Sequence, residues 1–170
     1  MTTTSQIPAV TDWLVSACQN SPVLGAASPP VQVFDGPQPP AATQALPLAL
    51  WIGADAMNPG QATGESAQSW PVMDNARTKD EDGSLICSAQ NWSGTASNQT
   101  VRNGADGLLS AVELLLRGNG GAGDPGDASM GGLVFWSGVD ETQWYPRQIA
   151  GGVAMLVVFK IIYRARLTTS

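Results

Sequence analysis

The sequence predicts an α+β fold: one small, twisted, mostly antiparallel sheet with two helices packed on it and long loops. Three observations predict it. The segment Gly151 to Leu167, GGVAMLVVFKIIYRARL, alternates apolar residues with period two, the signature of a strand. Two other segments, near residues 4–19 and 98–116, repeat apolar residues at three-four spacing, as a helix with one buried face does. Between these lie short apolar runs punctuated by Pro and Gly, which read as further strands. A length of 170 residues suits a single domain, expected to span 1–170.

The elements follow in order. Residues 4–19, TSQIPAVTDWLVSACQ, form an N-terminal helix within 1–20. Pro8 suits its first turn, Ser5 can cap it, and Val10, Trp13, Leu14 and Ala17 share a face. Pro22 ends it. VQVFDGPQPP (31–40) is a short strand closed by a turn. ALPLALWIG (45–53) is a second strand, with Leu46, Leu48, Leu50 and Ile52 alternating and Pro47 marking a strand start or an edge. Residues 54–83 read as an extended loop, or as a hairpin with poor strands around Trp70 to Met73. SLICSAQNWSG (84–94) is a third strand.

A second helix follows, with Val101, Ala105, Leu108, Leu109, Val112, Leu115 and Leu116 on one face. Ser97 or Asn98 caps its start and Gly118 its end. Gly104 and Gly107 each cost about 1 kcal/mol against Ala in a helix, which a close approach to the sheet would explain. Residues 118–132 are a second extended loop. LVFWSGV (133–139) is a strand, DETQWYPRQIAGG a short strand or loop, and the last segment the longest strand.

That last segment decides between a membrane anchor and a strand. A membrane helix needs about 20 mostly apolar residues, and here Lys160 interrupts the run before Arg164 and Arg166. The strand reading leaves one face apolar throughout. The other is apolar at Leu156 and Val158 and basic at Lys160, Arg164 and Arg166. Fifteen residues of strand reach roughly 50 Å, so a bulge or an end running past its own sheet is expected. Something must cover Leu156 and Val158: a helix of the same chain, or a neighbouring subunit.

Charge and residue types narrow the function. Only 13% of residues are charged, and the net charge is −6. Phosphate backbones attract Lys and Arg, so tight nucleic-acid binding is not expected. There is no histidine, which excludes Ser-His and Cys-His catalysis and the commonest general base. No phosphate-binding loop ending in Lys-Ser or Lys-Thr occurs. DEDG (80–83) and GDPGD (123–127) hold carboxylates of the kind calcium sites use, without the full ligand spacing; they read as solvated loops. Glu113 reads as solvent-facing. No enzyme, metal site or cofactor is expected. The start, MTTTSQIPAV, lacks a basic segment followed by an apolar one, so no secretory leader is expected. Cys18 and Cys87 then read as free thiols in a reducing compartment, with a disulfide left open, and the glycosylation patterns at Asn91 and Asn98 read as chance. Six tryptophans are present. Trp70 and Trp144 lie in the least regular segments and are the candidates for contact with partners.

Taken in order, VQVFDG, LPLALWIGAD, RTKDEDGSLICSAQNWSG, VRNGADGLLSAVELLLR, MGGLVFW and QIAGGVAMLVVFKIIYRARL resemble a tail terminator protein of long-tailed bacteriophages. The order and spacing carry the resemblance, over about four-fifths of the chain. Shared features are the turn Trp92 to Gly94, the pair Gly131 and Gly132 before a strand reaching Trp136, and the closing Ala165 to Leu167. The departures are 54–76 and 118–130, both longer than the family suggests.

The resemblance implies a structural virion protein of the tail and neck, assembled in the bacterial cytoplasm. It implies a homo-oligomeric ring, a hexamer, on the head-proximal end of the tail tube. Such a ring stops polymerisation of the tube protein, joins the tail to the head-completion or connector protein, and leaves a channel for DNA that it does not grip. No membrane is involved. Candidate interface residues are Leu156, Val158, Lys160, Arg164, Arg166, Trp70 and Trp144. Two alternatives stand: another neck component, such as a head-completion or head-tail adaptor protein, and a Trp-rich ligand-binding domain.

Overall fold

The computed structural model describes residues 4–38, 46–70, 78–118, 126–149 and 151–168. Among these are three helices and six strands, in an α+β arrangement with one open mixed sheet. The helices are α1 (Ile7–Gln19), α2 (Pro22–Gly25) and α3 (Asn98–Leu115). The strands are β1 (Gln32–Asp35), β2 (Leu48–Ile52), β3 (Gly64–Ser69), β4 (Thr78–Ser93), β5 (Trp136–Ile149) and β6 (Gly152–Thr168). The sheet order is β1-β2-β4-β6-β5, with β3 also on β4. β1 and β2 are parallel and the other pairings are antiparallel.

The long final strand is present. β4 accompanies it from Ser93 opposite Val153 to Thr78 opposite Thr168, so neither end runs past the sheet. The expected irregularity lies instead in β5, as a bulge between Val139 and Thr142. β2 and β3 share the far edge of β4: Leu48–Ile52 faces Cys87–Asn91, and Gly64–Ser69 faces Asp80–Leu85. Strands therefore occupy part of 54–83, which was expected to be an extended loop. The hairpin reading is nearer, but its first strand ends at Ser69 and not around Trp70 to Met73; residues 71–77 lie outside the described residues.

α1 starts at Ile7, not at residue 4. Ser5 and Gln6 are drawn instead to the sheet, where the buried Glu81 carboxylate accepts from Ser5 Oγ at 2.6 Å and from the Gln6 N–H at 2.9 Å. Val10, Leu14 and Cys18 of α1 share one core with Leu50, Ile52, Cys87, Val157, Phe159 and Ile161 of the sheet and with the apolar stripe of α3. Trp13 and Ala17 are only half-buried.

Ser97 caps α3, accepting from the Thr100 N–H at 3.2 Å. Gly104 is explained as expected: a Cβ there would lie 1.9 Å from Nδ2 of Asn91, whose amide donates to the Val101 carbonyl. Gly107 is not, since a Cβ there meets nothing within 4 Å. The end of α3 is closed by N–H groups of Asp127 and Ala128, which donate to the carbonyls of Leu115 and Gly118. Asp127 then folds the chain into the turn at Gly131 and Gly132. Its carboxylate accepts from Ser129 Oγ and from the N–H groups of Ser129 and Gly131, and both glycines have positive φ.

Among the described residues no helix is long and apolar enough to cross a membrane.

Candidate interface surface

Register sorts the side chains of β6 between two faces. Phe159, Ile161, Tyr163, Ala165 and Leu167 are buried on one face, and the first four share a core cluster with residues of α1 and α3. Leu156, Val158, Lys160, Ile162, Arg164 and Arg166 take the opposite face, beside Gln90, Ser88, Ile86, Ser84, Asp82 and Asp80 of β4.

The lower half of this second face is closed by the chain itself. Leu156 is fully buried with Ala49, Trp51 and Ala54, and Phe34, Leu46, Ala56, Tyr145 and Val158 pack around them. Among the described residues the cover at Leu156 is not a helix. The cover is the segment after β2. Ser88 Oγ donates to the Ala54 carbonyl at 2.9 Å and accepts from the Ala56 N–H at 3.0 Å. Asp55 tightens the turn by accepting from the N–H groups of Met57 and Asn58. Leu156 is thus buried within the chain's own second apolar cluster, and Val158 is half-buried at its rim.

The upper half is open and polar. Arg166 forks onto Asp80, with Nε at 2.8 Å and Nη2 at 3.3 Å from its two oxygens. Arg164 bridges Asp80 at 3.5 Å and Asp82 at 3.6 Å. The hydrogen bond from Arg166 and its charge hold the Asp80 carboxyl below its usual range, with Arg164 adding to the effect. Both arginines are thus paired with carboxylates of β4. Lys160 has no ion-pair partner among the described residues. It lines a depression of about 220 Å³ with Glu65, Ser84, Ile86, Glu141 and Gln143.

DEDG (80–83), expected to be a solvated loop, is strand. Asp80 and Glu81 are buried, and Glu81 also accepts from the Tyr163 hydroxyl at 3.1 Å. Burial and the neighbouring Glu81 push the Tyr163 phenol well above its ordinary value. Every partner of these carboxylates lies more than 70 positions away in the chain, so spacing along the sequence could not reveal them.

The exposed aromatics lie at the margins of the sheet. Trp70 is 57% exposed, with the Lys79 ammonium 4.8 Å from its ring centroid. Trp144 is 37% exposed on β5. Phe135 and Trp136, 56% and 43% exposed, were missed as candidates, LVFWSGV having been read only as a strand. Trp136 opens β5 opposite Arg164 on the open half-face, and Phe135 lies just before the strand, where a period of two carries no signal. Arg166 lies over the Phe135 ring at 5.3 Å, joining the aromatics to the charged ladder.

β5 is the longest uncovered element. Of its 14 residues none is buried, and Asp140 to Trp144 are all exposed. The segment DETQWYPRQI, left between strand and loop in sequence, continues this strand to Ile149. Pro146 and the bulge interrupt the pattern that a further strand would need, and the side chains exposed along this edge include Trp136, Trp144, Arg147 and the acidic pair Asp140 and Glu141.

The structure thus brings Lys160, Arg164 and Arg166 together with Trp136 on one open half-face. Trp144 pairs with Val157 on the other face, Trp70 follows β3 beside Lys79, and Leu156 is withdrawn into the interior. Among the described residues no group of three or more Cys, Asp or Glu side chains is placed to hold a metal ion. No protein-family model matches the chain, and no curated protein matches it.

Proposed function

We propose that this chain is a structural virion protein, the tail terminator of a long-tailed bacteriophage. In this reading copies of it form a hexameric ring on the head-proximal end of the tail tube. The ring ends polymerisation of the tube protein and receives the head-completion protein. DNA passes through it without being gripped. The reading includes a sheet twisted in the usual sense, with α1 and α3 packed on one face.

The observation that carries the proposal is the asymmetry of the sheet's two ends. A ring closes through a head-to-tail contact, so each subunit needs two unlike patches. β5 and β1 are the opposite ends of the strand order. The first offers 14 residues, none of them buried, with Trp136 and Trp144 exposed, and the second offers four, with Phe34 and Val33 half-buried. The self-neutralised ladder of Asp80, Asp82, Arg164 and Arg166 supports a surface that does not hold phosphate. The segments that carry the family resemblance lie in β1, β2, β4, α3, the turn at Gly131 and Gly132, and β6.

The test is the mass of the purified protein with and without tail tubes, followed by imaging of the mixture. Rings at one end of the tubes are expected. Binding to head vertices alone would replace the proposal with a head-completion or adaptor role. Binding to neither, with tryptophan fluorescence quenched by a small ligand, would replace it with a ligand-binding domain.

A further inference from the structure

We draw no further inference here: the strongest candidate, the uncovered outer strand of the sheet around Trp144 and Pro146, belongs to the surface already described, and nothing in the structure shows what covers it.

Discussion

Gly83 lies against Tyr163 so closely that a Cβ there would fall 2.1 Å from the phenol ring. The ring is buried and its hydroxyl is engaged by Glu81, so it has little room to move aside. Gly83→Ala should cost about 1–3 kcal/mol by overpacking, read from chemical denaturation. Asp80 supports a prediction about acid. Its carboxyl titrates lower in the folded chain than the ordinary 3.8. The stability it contributes is therefore present above that value and is lost as pH falls through the folded pKa. Asp80→Asn should be less stable than the parent at neutral pH, and the gap between the two should narrow below about pH 4; a gap independent of pH would refute the pairing with Arg166. The thiols behave oppositely. Burial pushes both Cys18 and Cys87 up to about 12 from 9.0. Their contribution is complete below pH 9.0 and is lost as pH rises toward 12. A thiol reagent should label neither cysteine in the native protein at neutral pH and both after denaturation. Little of this was legible beforehand. DEDG looked solvated because Asp80, Glu81 and Gly83 have meaning only against β6 and the start of α1.

Elements with a strong period and one covered face were the legible ones. The α3 stripe from Val101 to Leu116 is buried as its spacing predicts, and so is the apolar row of β6. β3, GESAQS, was missed because almost every side chain is exposed and polar; only its backbone pairing with β4 makes it a strand. β5 was half-read for the same reason, an outer strand having no apolar row to betray it. The cover over Leu156 was hidden because it is not a regular element: Ala54 and Ala56 are held there by Ser88 and shaped by Asp55. These placements separate two substitutions that the sequence treats alike. Leu156→Asp puts a carboxylate into a closed apolar cluster. Leu→Ala at such a site already costs about 2–5 kcal/mol, and the buried charge adds to it. The monomer should therefore unfold or lose most of its stability. Val158→Asp, at the half-buried rim beside the depression around Lys160, should cost less than Leu156→Asp. Circular dichroism melts of the two variants would decide, and equal losses would mean that the rim is as closed as the centre.

For the molecule as a whole, the low charge in the sequence shows that polar side chains carry much of the surface, but not where contacts form. That depends on which sheet ends are left open. Interfaces draw most of their energy from a few aromatic or Arg side chains, and β5 holds Trp136 and Trp144 on opposite faces of one uncovered strand. If this end meets a neighbouring copy, Trp136→Ser and Trp144→Ser should each weaken assembly on tail tubes by roughly 30-fold or more, the effect of losing about 2 kcal/mol at an interface. Neither ring is in the interior of the monomer, so the same changes should cost it on the order of 1 kcal/mol and a few degrees in Tm. Sedimentation of the variants with tubes reads the first quantity, and thermal melts of the free protein read the second. Normal assembly by both variants would move the contact away from β5, to the opposite end of the sheet or to the aromatic margin at Trp70 and Phe135. Lost assembly with melting lowered by no more than those few degrees is the pattern that a contact through β5 requires, because instability large enough to abolish assembly would lower melting much further.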